Sequence, residues 1–436
     1  MFRALRHRNY RLFFSGQIIS LVGTWMQNIA QSWLVYRLTG SSLLLGLVGF
    51  AGQIPVFLLS PVGGVFADRH SRHRIVIATQ VSAMLLAFVL SALTLLEHIQ
   101  VWQILVLAAL LGVVNAFDIP ARQAFIVEMV NGEDLINAIA LNSAMFNGAR
   151  ILGPAIAGVT VVAIGEGWCF FANGASYIAV IVGLLLMVVT PRPRDRRVAS
   201  GLESIIEGFR FVAHTGPVRA LLLLLGLVSL TGIPYAVLMP IFADRILHGG
   251  ARGLGLLMGS TGIGALAATL ALAARRGVHG LGRWVRYASM GFGASLILFS
   301  VSRSFLVSVL LLLPAGFCML LQMSSSNTLI QTMVPDALRG RVMAVYSMMF
   351  MGMAPFGALL AGAAANRLGA PLTVALGGAI CIVGSVIFGS RWRALRVEAR
   401  QLILGQGMAS GEPPEEMTGQ LDALGDRKSP PPNPSA

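Results

Sequence analysis

Charge is what this chain has least of. Asp, Glu, Lys and Arg make up 11% of the 436 residues, against 56% hydrophobic ones. Soluble globular chains carry about a quarter charged residues, so the composition argues against a water-soluble domain and for one built in lipid. Cysteine is almost as scarce: Cys169, Cys318 and Cys381 lie far apart inside apolar runs, which argues against a disulfide framework or a thiolate metal site. Lysine occurs once, at Lys428. There is no Gly-Lys-Ser/Thr phosphate loop, which argues against a self-contained ATP-driven pump. Gly259-x-x-Gly262-x-Gly264 superficially matches a nucleotide loop, but it sits inside an apolar run with no preceding strand, so helix packing is its reading. No nucleophile–base pair and no metal-spaced His/Cys set is present; His7, His70, His73 and His98 fall in loops. Neither an enzyme, nor a cofactor, nor a metal is expected.

What is present is apolar sequence, in twelve runs of about 20 residues each, the length that crosses a bilayer. They are predicted at 13–36, 43–66, 75–96, 102–121, 137–163 and 168–189, then at 218–242, 253–274, 284–301, 305–326, 341–364 and 371–390. Arg3, Arg6, Arg8 and Arg11 precede the first run, which has no small-residue cleavage site and reads as a retained helix. The net charge of +14 would suggest nucleic acid in a soluble chain. Here the arginines fall between apolar runs and on alternate loops, the positive-inside pattern. One side collects Arg69, Arg72, Arg74, Arg122, Arg192, Arg194, Arg196, Arg197, Arg275, Arg276, Arg339 and Arg341. The other has mostly lone charges, Arg37, Glu97, Glu166, Arg303 and Arg367, with a mixed group from Asp244 to Arg252. Both termini are expected in the cytoplasm and the chain in the inner membrane of a bacterium. The division that follows is an N-terminal bundle at 1–190, a cytoplasmic linker with a short interfacial helix at 191–216, a C-terminal bundle at 217–395 and a disordered tail at 396–436.

One stretch recurs. SAMFNGARILGPAIAG at 143–158 and SMMFMGMAPFGALLAG at 347–362 share Ser143/Ser347, Met145/Met349, Phe146/Phe350, Gly148/Gly352, Gly153/Gly357, Ala157/Ala361 and Gly158/Gly362 at a fixed offset. A recurrence at nearly half the chain length predicts two related halves with an equivalent helix in each. Arg150 and Pro154 belong to the first copy alone; Ala354 and Ala358 replace them in the second.

Between the second and third runs stands Gly64-x-x-x-Asp68-Arg69-x-x-Arg72. This resembles the loop signature of the major facilitator superfamily, with Ser71 where glycine is usual and His73 where a base is usual. Phe117-x-x-Pro120-Ala121-Arg122-Gln123, with Glu128 beyond, looks like the branch that includes the enterobactin exporters and the transmembrane secretion effectors. Gly148, Gly153, Pro154, Ala157 and Gly158 resemble the Gly-Pro motif of superfamily antiporters. The resemblance implies an all-α fold of twelve transmembrane helices, in two pseudo-symmetric six-helix bundles around a central cavity that opens to alternate sides. It also implies that Asp68 meets the N-terminus of the eleventh helix, near Arg341, where unpaired N–H groups favour an anion. The corresponding loop of the second half, Ala274 to Gly277, has no acid.

The candidate gate residues are therefore Gly64, Asp68, Arg69, Arg72, Asp118 and Arg122, with Gly153, Pro154 and Gly158 as a helix-bend motif. Asp118 and Arg122 share a face, and Arg122 or Arg69 is the expected partner for the acid. Arg150 lies near mid-span, where a charge costs about 2.5–3.5 kcal/mol on insertion scales. It is expected to face the cavity and meet either an anionic substrate or Asp118. Asn147, Thr24, Gln27, Gln31, Gln322, Ser325 and Tyr235 complete the expected substrate cavity, suited to a bulky amphipathic ligand. The expected activity is proton-coupled export of a siderophore, drug-like compound or other amphipathic small molecule. An importer or uniporter of the same fold is the alternative, and a membrane-embedded transferase a remote one, since its paired metal-binding acids are missing. The expected partners are the small-molecule substrate, the proton gradient and the lipid bilayer, and the chain is read as a monomer that binds no nucleic acid.

Overall fold

The computed structural model describes residues 3–188, 201–275, 277 and 280–409. The linker arginines Arg192, Arg194, Arg196 and Arg197, Arg276, and the Pro-rich tail beyond residue 409 lie outside the described residues. The helices are α1 (Arg8–Thr39), α2 (Ser42–Arg69), α3 (Arg72–Leu95), α4 (Val101–Met129), α5 (Leu135–Ile164) and α6 (Glu166–Leu185). After the linker helix α7 (Gly201–His214) come α8 (Gly216–Thr231), α9 (Met239–Ile241), α10 (Gly250–Ala273), α11 (Leu281–Val301) and α12 (Phe305–Met333). The last are α13 (Asp336–Met351), α14 (Met353–Leu368) and α15 (Ala370–Ala409). No strand occurs among the described residues.

Among the described residues, eleven helical stretches have the length and hydropathy to cross a membrane. The twelfth crossing, α1, is 32 residues long but is diluted by Gln17, Ser20, Thr24, Gln27, Asn28 and Gln31. Its polar side chains turn mainly inward: Gln17, Ser20 and Gln27 are buried. In lipid a polar stripe is tolerated only where protein covers it.

Two spans are broken, each at proline. The seventh runs from α8 through a 3-10 turn (Ile233–Leu238), α9 and a π-helical turn (Phe242–Ile246); Pro234 and Pro240 each remove a ladder N–H. The eleventh divides into α13 and α14 at Gly352, where Pro355 cannot donate to the Met351 carbonyl. Several helices outrun the expected spans. α4 and α12 continue to Met129 and Met333, since between the expected ends at 121 and 326 and Gly132 or Pro335 no glycine or proline intervenes. Likewise α15 continues to Ala409, so the expected tail from 396 is helical as far as that residue, through an Ala-, Leu- and Arg-rich stretch with high helix propensity.

The helices α1–α6 form one six-helix bundle, and α8–α15 form the other. They meet chiefly along two pairs, α5 with α10 and α2 with α14. The repeated stretch explains both. Gly153 and Gly357 pack within their own bundles. A Cβ on Gly153 would lie 2.3 Å from Trp25 Cβ on α1, and one on Gly357 would lie 2.5 Å from the Leu230 carbonyl on α8. Gly158 and Gly362 pack across the interface. Gly158 lies against Ala251, Arg252 and Gly255 of α10, and Gly362 against Ser42 and Gly46 of α2. Small residues at these positions let the backbones approach closely, as membrane interfaces require.

These close approaches lie toward the face with lone charges, here called the far face. Toward the opposite, arginine-rich basic face, nothing lies within 4 Å of the Cβ position of Gly64, nor of Gly148 near the middle of α5. The bundles touch at the far face and part at the basic face. The linker helix rides on α13: Glu207 pairs with Arg341 at 2.5 Å, and Gly208 abuts the Arg341 backbone. Val212 is buried, whereas Ile206 and Phe209 are exposed.

Candidate substrate cavity and gates

Arg150 sits halfway along α5, one turn before Pro154. Its guanidinium carbon lies 5.9 Å from the Trp25 ring centroid, and Trp25 in turn meets Phe146 edge-on at 5.6 Å. No acid pairs with Arg150 among the described residues. Its residue surface is partly exposed although it lies at mid-span. Pro154 cannot donate to the Arg150 carbonyl, and that carbonyl lies 3.2 Å from where a Cβ of Gly262 on α10 would be. Asn147 lies one turn before Arg150 and donates to the Ser143 carbonyl at 2.9 Å.

Asp118 is not the partner of Arg150. It is 3% exposed and its carboxylate is held by Arg122 at 3.1 Å, Thr79 at 2.8 Å and Gln80 at 3.1 Å. Of the two expected partners, Arg122 makes the pair; Arg69 is exposed. The i,i+4 spacing made Arg122 legible, whereas Thr79 and Gln80 come from α3 and were not singled out. Asp68 bonds Arg72 at 3.2 Å, and Arg72 also bonds Glu128 at 2.9 Å. The loop thus ties α2 and α4 together through Arg72. The eleventh helix begins at Asp336, earlier than expected, and its Arg341 is held by Glu207.

The remaining expected cavity residues divide. Gln27 accepts from Asn173 at 2.7 Å and is buried between α1 and α6. Thr24 donates to the Ser20 carbonyl at 2.9 Å and lies 3.5 Å from the Tyr177 hydroxyl. Gln31 is partly exposed. Tyr235 is buried, its hydroxyl 3.5 Å from Thr261 and its ring 6.0 Å from Phe292. Gln322 and Ser325 are fully buried inside the C-terminal bundle, with no hydrogen-bond partner for the amide or the hydroxyl. α12 presents a different face to open space: Leu320, Met323, Ser324, Asn327 and Thr328 line a cavity of about 200 Å³ with Tyr346 of α13. Successive helical residues turn by 100°, and α12 is polar on more than one side, so residue type alone does not choose the face.

Asn173, Ser176 and Tyr177 on α6 were not anticipated, although their i, i+3, i+4 spacing repeats the pattern that marked α1. Two contacts at the far face were also missed. Arg37 and Glu166, read as lone charges, form a 2.7 Å pair between α1 and α6. Tyr36 donates to Asp244 at 2.8 Å across the two bundles.

Residues 1–414 match the transmembrane secretion effector family. The chain is 28% identical over 393 residues to the staphyloferrin A transporter of Staphylococcus aureus (strain NCTC 8325 / PS 47), covering 89% of this chain and 98% of that one. It is 27% identical to the multidrug efflux pump Tap of Mycolicibacterium fortuitum, covering 87% and 95%. The enterobactin exporter EntS of Citrobacter koseri (strain ATCC BAA-895 / CDC 4225-83 / SGSC4696) is 25% identical, covering 93% and 96%. Among solved structures, the nucleoside transporter NupG superposes with a TM-score of 0.66 at 12% identity, covering 89% and 99%, and shares the fold. Twelve helices in two bundles, the Asp68 loop and the family match over nearly the whole chain agree: this protein is a multi-pass membrane transporter of small molecules, not an enzyme, and belongs to the transmembrane secretion effector family of the major facilitator superfamily.

Proposed function

We propose that the chain is a proton-coupled exporter of an anionic, amphipathic small molecule, a siderophore or a drug-like compound. It works by alternating access as a monomer in the inner membrane, with the basic face and both termini in the cytoplasm. The observation that carries the substrate reading is Arg150. A cation kept at mid-span without an acid, beside the face of Trp25, is poised to exchange its water for an anion that also stacks on the indole. The side chains of Thr24, Asn147 and Gln31, and the α12–α13 cavity with Asn327 and Tyr346, supply neutral hydrogen-bonding groups around it. Closure at the far face and separation at the basic face give the cavity its access from the cytoplasm. The relatives' names favour export of siderophores or drugs, and the Gly-Pro motif leans the same way. Cellular accumulation of a panel of siderophores and lipophilic cations tests this reading. Expression should lower retention of anionic members, and Arg150→Ala should abolish the difference. Selective loss of the cations instead would overturn the anionic assignment. Everted vesicles should release protons on addition of an exported compound.

A further inference from the structure

The first turns of α11 carry charge of the wrong sign. A helix N-terminus bears about half a positive charge and favours anions, yet Arg283 and Arg286 stand in the first two turns of this 21-residue helix. No acid occurs from Ala274 to Arg286, and neither Arg283 nor Arg286 forms an ion pair among the described residues. The N-cap is Gly280, at φ 75°, which offers no side chain to cap the first N–H groups of the helix.

Two guanidinium groups converge at that cap. Around the place where a Cβ on Gly280 would be, Arg275 Nη2 lies 3.5 Å away and Arg283 Nη2 3.9 Å away. Arg275 rests on Trp284, its guanidinium carbon 4.3 Å from the ring centroid. Arg286 packs on Gly389 of α15, and its buried Nε has no hydrogen-bond partner. Like charges gathered at a helix N-terminus repel one another and the helix dipole unless an anion joins them. One phosphate is wide enough to accept from both Nη2 atoms.

The position of the cluster says what carries the phosphate. Arg283, Tyr287, Leu298 and Val301 follow one another along one face of α11. Arg283 is exposed, and so are Tyr287, Leu298 and Val301. The helix packs chiefly on α12 and α15, both of its own bundle, so this face is turned to lipid and not to the space between the bundles. An apolar stripe that ends in a tyrosine and then arginines matches the profile of a leaflet, acyl chain first and headgroup beyond.

We propose that Arg275, Arg283 and the start of α11 bind the headgroup phosphate of an anionic phospholipid in the leaflet at the basic face. One acyl chain lies along Tyr287 and Leu298, and Arg286 adds a third positive charge beside the headgroup. A zwitterionic lipid would bring an ammonium against the same arginines, so net negative charge is what the site selects. The site lies outside the substrate cavity and acts whatever compound the protein carries.

The test uses the full-length protein in detergent micelles containing either phosphatidylcholine or phosphatidylglycerol. Native mass spectrometry should show phosphatidylglycerol retained as a discrete adduct, and the thermal midpoint should be higher with it than with phosphatidylcholine. Arg275→Gln combined with Arg283→Gln should weaken retention about fivefold for each arginine removed and cancel the difference in midpoint. Each variant is compared with its own midpoint in phosphatidylcholine, so any intrinsic loss of stability drops out. Arg283→Gln alone, at an exposed position, should show the single fivefold loss even where the double variant does not fold. Arg8→Gln with Arg11→Gln removes the same charge from exposed positions on the same face and should behave as the parent. An equal response of the parent to both lipids, or equal losses in the two double variants, would overturn the proposal, because the attraction would then be diffuse. Inorganic phosphate should leave the adduct in place when compared with chloride at equal ionic strength. Displacement by phosphate alone would overturn the lipid assignment and make the cluster a site for a free anion.

Discussion

Asp118 and Arg150 are the two charges that lipid should exclude, and the protein retains them by opposite means. Asp118 has both carboxylate oxygens engaged: Thr79 and Gln80 on one, Arg122 on the other, and it is nearly closed to solvent. Removing one member of a buried ion pair leaves the other uncompensated, at a cost of about 3–5 kcal/mol. Asp118→Ala should therefore lower the thermal midpoint of the detergent-solubilised protein markedly, and Asp118→Asn, which keeps an oxygen for Thr79 and Gln80, should lower it less. An unchanged midpoint in Asp118→Ala would mean that the pair contributes little. Arg150 has instead an aromatic neighbour and no acid among the described residues. Arg150→Lys keeps the charge and loses the planar fork, so transport should fall about tenfold, the factor that corresponds to about 1.4 kcal/mol, with the midpoint unchanged. Full transport in that variant would show that the arginine acts as a point charge. Both charges were legible in the sequence as anomalies in apolar runs. Their separate fates were not, because Thr79 and Gln80 arrive from another helix.

At the scale of the helix, the repeated stretch has two layers. Gly153 and Gly357 seat α5 and α14 on their own bundles, and Gly158 and Gly362 seat them on the opposite one. A Cβ at Gly362 would come within 2.6 Å of the Ser42 carbonyl, a backbone atom that cannot yield easily. Gly362→Val should therefore favour the state open at the far face and depress transport several-fold. Accessibility of a far-face cysteine to a membrane-impermeant thiol reagent should rise; unchanged labelling would count against the contact. Gly64→Ala meets nothing within 4 Å and should leave the midpoint within about 0.5 kcal/mol equivalent of the parent, as surface substitutions usually do. The periodic glycines announced close packing in advance. Which helix each one touches was hidden, because a small residue specifies closeness and not a partner. The same limit applies to α12, where Gln322 and Ser325 turned inward while Asn327 and Ser324 faced the cavity.

For the whole molecule, the proposed alternating access requires the two bundles to move as bodies, so that the contacts between them decide the state. The linker helix α7 is fixed to α13 by Glu207–Arg341, an ion pair that remains partly exposed and is worth about 0–1 kcal/mol. Glu207→Gln should accordingly leave folding intact, as judged by an unchanged thermal midpoint; a large fall would mean that α7 holds the C-terminal bundle together. The sequence by itself determined the membrane class, the number of crossings, the two-half architecture and the family. Those follow from composition, run length and local motifs, which are properties of neighbouring residues. Tertiary structure alone decided that Asp118 is held by three partners while Arg150 meets Trp25 and no acid, that Arg37 and Glu166 are a pair, and that Tyr36 meets Asp244. That last bond joins positions 208 residues apart. It arises because α1 and the broken seventh span end side by side at one face, a juxtaposition set by how two bundles pack and not by the periodicity of either helix.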